Sequence, residues 1–225
     1  MEDQFSEIAS LIGDPVRAKI LWALMDKRAY TATELAGYSN TTPQNISMHL
    51  HKLVKSDLLT VQSQGRHKYY NYSRPEIPYA IEEIANLVPE TDAKKITVPG
   101  EQPIRYCRSC YDHLAGKVGV LLTEALVDRN YLTKEQEHFN LSEEGQKWFL
   151  DLGIDPERIK NQKRHFAKPC LDWSERKHHL AGALGAALLR YMLGNGWLRR
   201  VDGSRSILIT AKGKQGLREG LRIDV

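Results

Sequence analysis

The sequence predicts a mainly helical α+β protein with small β-hairpins, organised as two domains. Apolar residues recur at helical spacing through much of residues 5–58, and a weakly alternating stretch around Gly65 is typical of a hairpin. The second half of the chain contains an internal repeat. With 225 residues, the chain is long enough for two domains of moderate size.

The first two helices are predicted within residues 5–26, with a break at Asp14. Asp is a favourable N-cap residue, and Pro15 suits the first position of the helix that follows. Beyond the break, Val16 and Ile20 recur at helical spacing. The segment therefore predicts a helix, a sharp break and a second helix.

A short helix near Thr33–Gly37 and a polar turn at residues 38–41 lead into a further helix. Thr42 is expected to be the N-cap of this helix, and Pro43 to occupy its first helical position. Its apolar stripe consists of Ile46, Leu50 and Leu53. A helix, a tight turn and a second helix with a polar exposed face form a helix-turn-helix, whose second helix enters the DNA major groove.

This second helix and the hairpin after it carry the side chains expected to contact DNA. Asn and Gln pair bidentately with adenine, and Ser or Thr hydroxyls also bond to base edges. Between Thr41 and Pro75 there are five Lys or Arg residues against one acid, and such a patch neutralises phosphates. The residues expected at this interface are Thr42, Gln44, Asn45, Ser47, Met48, Lys52, Arg66, His67 and Lys68.

Three segments of the N-terminal half are GDPVRAKILWAL, TELAGYSNTTPQNISMHLHKLVKSDLL and GRHKYYNY. Over about the first 90 residues they resemble the ArsR/SmtB family of winged-helix transcriptional regulators. The resemblance implies a homodimer formed by the first and last helices of the domain, a palindromic operator in double-stranded DNA, and repression relieved by an inducer. It also implies that His49 contacts DNA, with burial on the helix as the alternative.

The sequence departs from the metal-sensing members of that family at both of their usual metal sites. The helix before the DNA-reading helix contains TATELAG, without cysteine, and the last helix of the domain offers only Glu82 and Glu83. A sensing site is therefore expected in the C-terminal half. The predicted organisation is a winged helix-turn-helix domain for DNA binding and dimerisation at 1–88, a linker at 89–104 and a sensor domain at 105–225.

The predicted sensor domain contains the internal repeat. Residues 113–132 align without gaps on residues 179–198, an offset of 66, and the match resumes after a small change of length. Each copy reads as a helix, a turn, a hairpin and the start of another helix, which predicts two pseudo-repeated, winged-helix-like halves. His113 and His179 occupy equivalent positions, whereas the ungapped offset gives the cysteines no counterparts.

The segment RYCRSC contains Cys107 and Cys110, and pseudo-symmetry between the halves predicts that both lie near Cys170. Together with His113, these three cysteines are the candidate ligands of a metal site. Thiolate and imidazole ligands suit Zn or another soft metal, and thiolates also bind metalloids such as trivalent arsenic. Which cofactor is bound stays unknown from the sequence.

Two other interpretations of the cysteines are open. The Cys-x-x-Cys pair would form a disulfide on oxidation, with Arg105 and Arg108 lowering the thiol pKa. Alternatively the cysteines fill the core, because Cys110, Leu114 and Val118 fall on one stripe at helical spacing. An odd number of cysteines argues against a disulfide framework.

Several protein classes are not expected. The sequence lacks a Gly-rich phosphate loop, a nucleophile elbow and a His-Glu-x-x-His motif, so we do not expect an enzyme. It has neither an apolar run of membrane-spanning length nor a signal-peptide pattern, so a cytoplasmic protein without membrane contact is expected. A regulator that responds to a small organic ligand at its aromatic residues, or one without an inducer, is an alternative.

Overall fold

The described part of the chain is arranged as two compact units, Met1–Leu87 and Val88–Val225. The computed structural model describes residues 1–88, 103–135 and 138–225. Within these ranges, no helix is both long and apolar enough to cross a membrane. The fold is mainly helical with small antiparallel hairpins, which confirms the predicted fold class.

The N-terminal unit combines helices with a three-stranded antiparallel sheet, in which the strand at 67–72 lies between the strands at 30–31 and 59–64. Its helices are α1 (Glu2–Gly13), α2 (Pro15–Ala23), α3 (Ala32–Ser39), α4 (Pro43–Lys55) and α5 (Ile77–Asn86), with a short 3₁₀ turn at Leu24–Asp26. Its strands are β1 (Tyr30–Thr31), β2 (Leu59–Gln64) and β3 (His67–Tyr72).

Side-chain caps begin α2 and α4, as the sequence predicts. The Asp14 carboxylate accepts hydrogen bonds from the backbone N–H groups of Val16 and Arg17 at 3.0 and 2.9 Å. The Thr42 hydroxyl accepts the backbone N–H of Asn45 at 3.3 Å. Each cap satisfies donors that lack a partner within the helix. The apolar stripes of the helices then pack into one core, which includes Ile20, Leu24, Leu35, Ile46, Leu50 and Leu53.

Most of the predicted linker at 89–104 lies outside the described residues. Its last two residues, Pro103 and Ile104, instead begin helix α6 (Pro103–Tyr106), and Ile104 is buried. The sequence-based domain boundaries remain predictions.

The C-terminal unit contains the same order of elements twice. Each copy consists of a hairpin, a long helix, a second hairpin and a further helix. The first copy is β4 (Arg108–Cys110), β5 (His113–Ala115), α7 (Gly116–Asp128), β6 (Leu132–Lys134), β7 (Phe139–Leu141) and α8 (Glu143–Asp151), followed by α9 (Pro156–Lys160). The second copy is β8 (Lys168–Leu171), β9 (His178–Ala181), α10 (Gly182–Gly194), β10 (Leu198–Arg200), β11 (Ile207–Ile209) and α11 (Ala211–Leu221).

The predicted helical stripe through Cys110 and Leu114 was wrong, because these residues lie in the strands of a hairpin and α7 begins only at Gly116. Gly116 has φ +80°, a conformation that favours glycine. A Cβ there would lie 2.6 Å from the Arg105 carbonyl oxygen, so the chain before the hairpin approaches the start of α7 closely. A strand followed by a helix can mimic one continuous helical stripe.

The two copies pack reciprocally. Helix α7 contacts β9, helix α10 contacts β5, and β5 and β9 contact each other. A Cβ on Gly119 of α7 would lie 3.8 Å from the Cβ of His179, and one on Gly185 of α10 would lie 3.3 Å from the Cβ of His113. Each long helix therefore places a glycine beside the histidine of the other copy.

Candidate functional site

The exposed face of α4 carries most of the side chains that the sequence assigns to DNA contact. Ile46 and Leu50 lie on the opposite face and are buried in the core. The helix is therefore amphipathic, with its polar face turned to solvent. The exposed residues of the predicted interface on this helix and its cap are Thr42, Gln44, Asn45, Ser47, Met48 and Lys52.

The wing is the hairpin of β2 and β3, in which Gln64 pairs with His67 across a two-residue loop. Gly65 in this loop has φ +59°, which favours glycine. Arg66, His67 and Lys68 at the tip are exposed. All three line a groove that also includes residues of α4. The wing thus presents positive charge beside the polar face of α4.

His49 differs from the other expected DNA contacts. Its side chain is only about 8% exposed, and its Nδ1 atom lies 3.4 Å from an Asp14 carboxylate oxygen. It faces the cap of α2 rather than solvent, so it is not available for a groove contact. The two alternatives for His49 were contact with DNA and burial on the helix, and in the structure His49 is buried.

The hairpins of the C-terminal unit pair each of two cysteines with a histidine. Cys110 is opposite His113 in the register of β4 and β5, and Cys170 is opposite His179 in the register of β8 and β9. Cys110 and Cys170 therefore occupy equivalent positions in the two copies. Three positions separate the first pair and nine the second, because the second hairpin has one more strand pair, Leu171 with His178, and a loop of six residues instead of two.

These four residues form one group, which we call the Cys–His cluster: Cys110, His113, Cys170 and His179. One potential ligand atom from each lies within 4.8 Å of the others. The Nε2 atoms of the two histidines are 3.1 Å apart. Three of the residues are buried and Cys170 is partly exposed. The cluster thus brings two thiols and two imidazoles together in the interior of the unit.

Asp172 lies directly behind His179. Its Oδ2 atom is 3.2 Å from the Nδ1 of His179, 3.0 Å from the Arg108 guanidinium and 2.7 Å from the Gly116 backbone N–H, which donates to it. Its Oδ1 atom accepts hydrogen bonds from the backbone and hydroxyl of Ser174. Burial alone would raise the pKa of Asp172, but Arg108 and His179 hold it well below its usual range. The carboxylate is therefore ionised and surrounded by donors.

Asp112 occupies the corresponding place behind His113. Its Oδ1 atom lies 3.6 Å from the Nδ1 of His113, and Arg164 donates to its Oδ2 at 2.5 Å. His113 and Arg164 hold the pKa of Asp112 well below its usual range. Unlike Asp172, this carboxylate is partly exposed. A carboxylate thus faces the outer nitrogen of each histidine, at ion-pair distance rather than in an aligned hydrogen bond.

Cys107, the third cysteine of the predicted metal site, is not part of the cluster, and His179 is found in its place. Cys107 is fully buried among apolar residues of the core. Burial raises the pKa of its thiol to about 12, against the smaller opposing effect of Arg108. The expectation of a lowered thiol pKa was therefore wrong for Cys107, because burial outweighs the lowering effect of Arg108.

Both the DNA-binding region and the full chain resemble known proteins. The family described as helix-turn-helix domain matches residues 12–62, which include α2 to α4 and the first part of the wing. The HTH-type transcriptional regulator YdfF of Bacillus subtilis (strain 168) is 41% identical over 226 residues, covering the whole of both chains. The chain belongs to this family of HTH-type transcriptional regulators. The alignment with YdfF extends through the C-terminal unit as well as the DNA-binding region.

Solved structures resemble a smaller part of this regulator. The homodimeric winged helix-turn-helix domain of Mb0332 from Mycobacterium bovis is 17% identical, covers 36% of this chain and 75% of its own, and has a TM-score of 0.34. The cadmium sensor CmtR from Mycobacterium tuberculosis is 26% identical, covers 43% of this chain and 97% of its own, and has a TM-score of 0.32.

Removal of each of the two carboxylates behind the cluster should have a different effect on the free energy of unfolding. Asp172→Ala should lower the free energy of unfolding of the regulator by about 3–5 kcal/mol, because it leaves the Arg108 guanidinium buried without its carboxylate. Asp112→Ala, the matched control, should cost about 0–1 kcal/mol, because its pair with Arg164 is exposed.

Both free energies are measured by denaturant unfolding of the full chain in the presence of a metal chelator. Tryptophan fluorescence is a suitable signal, because three of the four tryptophans lie in the C-terminal unit. Equal losses for the two variants would contradict the role assigned to Asp172.

Proposed function

We propose that this regulator is a sequence-specific, homodimeric repressor that is released from its operator by a signal received in the C-terminal unit. As a protein acting on chromosomal DNA, it would work in the cytoplasm. The proposal of sequence-specific DNA binding rests on the exposed polar face of α4, which lies next to the basic wing tip.

The residue types on α4 match the chemistry of base recognition. Gln44 and Asn45 are exposed in the first turns of the helix, the part that contacts base edges in helix-turn-helix proteins. Their amides can pair bidentately with adenine, and the Ser47 hydroxyl one turn further on can bond to a base edge. Arg66 and Lys68 of the wing would neutralise phosphates and supply the salt-dependent part of the affinity.

Exposed apolar side chains on α1 and α5 support the homodimer. Phe5 on α1 is 74% exposed and Ile84 on α5 is 45% exposed, while Leu87 directly after α5 is 80% exposed. Burying large apolar side chains against a second copy is favourable. The ArsR/SmtB resemblance of the sequence implies dimerisation through these same two helices.

The Cys–His cluster is the feature that best supports a signal at the C-terminal unit. None of the three cysteines, all of which the structure describes, is in a disulfide. A metal, a metalloid or a thiol-reactive compound would therefore find reduced sulfur there. The aromatic side chains give less support to an organic inducer, because Trp148 stacks on Tyr131 whereas Trp173 lies under Arg108, 4.6 Å from its guanidinium carbon.

Substitutions on α4 and the wing should separate base recognition from phosphate binding. Gln44→Ala and Asn45→Ala should each weaken binding to the specific operator by about 1–3 kcal/mol. Arg66→Ala should weaken binding to all duplexes and reduce the salt slope by about one unit. The measurement is fluorescence anisotropy at several salt concentrations, with an operator selected from random duplexes and with an unrelated duplex.

Lys19→Ala is the control for this series, because it removes an exposed positive charge on α2, outside α4 and the wing. It should leave both affinities within about 0.5 kcal/mol of the unmodified protein. If Gln44→Ala and Asn45→Ala both bind the operator as well as this control does, base recognition by α4 is excluded.

The double substitution Phe5→Glu and Ile84→Glu should convert the dimer into a folded monomer, because it places charges where apolar side chains would be buried. Sedimentation equilibrium gives the mass, and circular dichroism checks the fold. Glu83→Gln, next to Ile84 and exposed, should remain a dimer. A dimeric mass for the double variant would move the interface to other elements.

A further inference from the structure

We infer that Cys110, His113, Cys170 and His179 form a closed tetrahedral Cys₂His₂ site for a Zn²⁺-type cation. The cation would join the two repeated halves within the C-terminal unit of one chain. The inference deepens the proposed function by naming the chemistry of the signal site. Only the effect of the metal on operator binding rests on the proposed function, because metal binding itself can be measured without DNA.

The backbone brings the four ligands together in a regular way. Each hairpin supplies one cysteine and one histidine from directly opposed positions of its two strands. The packing of β5 against β9 then places the two pairs face to face. Two ligands come from each repeated half, and the two pairs are far apart along the chain but adjacent in space. An ion bound here would therefore join the two halves where they contact each other.

The spacing of the ligand atoms suits a tetrahedral ion. With Zn–N bonds of about 2.0–2.1 Å, two imidazole nitrogens in a tetrahedral site stand about 3.3 Å apart. The two Nε2 atoms of the cluster are 3.1 Å apart, and the sulfur atoms lie within 4.8 Å of them and of each other. Small adjustments of the side chains would therefore complete the coordination.

The electrostatics of the histidines favour a cation between them. Asp172 faces the Nδ1 atom of His179, and Asp112 faces that of His113, so each carboxylate favours a proton on the outer nitrogen. The inner Nε2 atoms face each other 3.1 Å apart, a spacing at which either a shared proton or a metal cation can lie between them. Carboxylates behind ligating histidines are the usual outer partners of zinc sites.

The donor set selects the class of ion. Two thiolates and two imidazoles suit Zn²⁺ and its analogues Co²⁺ and Cd²⁺, whereas Mg²⁺ and Ca²⁺ prefer oxygen ligands. A trivalent arsenical held by thiolates alone needs a third cysteine. Cys107 does not supply it, because it lies in the apolar core outside the cluster. Four protein ligands leave no open position, as in zinc sites that do not perform catalysis.

The test is a titration of the reduced, metal-free full chain with Co²⁺, followed by absorption spectroscopy. Tetrahedral coordination by thiolates gives intense visible d–d bands and thiolate-to-cobalt charge transfer in the near ultraviolet. We expect these bands to saturate at one equivalent and to disappear when Zn²⁺ is added. A weak octahedral spectrum, or no binding by the folded reduced protein, would overturn the site.

Matched variants identify the ligands. Cys110→Ser and Cys170→Ser should each weaken Co²⁺ affinity by more than about 100-fold, since loss of an outer partner alone costs about 10–100-fold. Cys107→Ala should keep the unmodified spectrum and affinity. His113→Gln should lose the spectrum, whereas His138→Gln, at an exposed histidine, should retain it.

Circular dichroism without metal checks that each variant is folded, so that loss of binding is not loss of structure. If Cys107→Ala abolishes the spectrum while folded Cys170→Ser retains it, the ligand set is wrong. A wrong ligand set would overturn the metal site but not the proposed DNA binding, which is measured on the metal-free protein. Conversely, α4 variants with unchanged operator binding would overturn base recognition by α4 but not the metal site.

Discussion

The buried carboxylate of Asp172 is the constraint on which the C-terminal unit depends most. A charge without solvent must be surrounded by donors, and one residue here engages three parts of the unit. It contacts the Arg108 guanidinium on β4, the first N–H of α7 at Gly116 and the ring of His179 on β9. The positions of β4, α7 and β9 relative to one another are thereby fixed around the Cys–His cluster.

The net stabilisation by a buried ion pair is small because both charges lose their hydration, but removing one partner is costly because it leaves the other charge buried alone. Arg108 is fully buried, and a misplaced hairpin would leave its charge without a partner. The same carboxylate orients His179 toward the cluster. Stability of the unit and preparation of the site therefore depend on the same few contacts, and a change in one is expected to reach the other.

Local signals in the sequence were sufficient for the N-terminal unit. Asp14 and Thr42 cap their helices as predicted, because an N-cap followed by proline specifies a helix start without help from distant residues. His49 could not be assigned in this way. Whether a helical histidine is buried depends on which distant residue packs against it, and that residue is Asp14, the N-cap of α2.

The candidate site in the C-terminal unit was only partly predictable. The equivalence of His113 and His179 was visible at a constant offset, but the equivalence of Cys110 and Cys170 was hidden by the longer turn between β8 and β9. The sequence alone did not distinguish Cys107 from Cys110. In the structure, Cys107 precedes β4 and lies in the apolar core, whereas Cys110 lies on β4 opposite His113. Strand register, which the alternation of so short a hairpin does not reveal, decides which cysteine faces the histidines.

A signal received in the C-terminal unit reaches the DNA-binding unit only if occupation of the Cys–His cluster changes the affinity of the regulator for its operator. The most direct measurement compares operator affinity of the full chain without metal and with one equivalent of Zn²⁺, using an operator selected with the metal-free protein. We expect Zn²⁺ to weaken operator binding by about 5–150-fold, the usual range of coupling between two sites, and Cys170→Ser to remove this effect. Equal affinities with and without bound Zn²⁺ would contradict it.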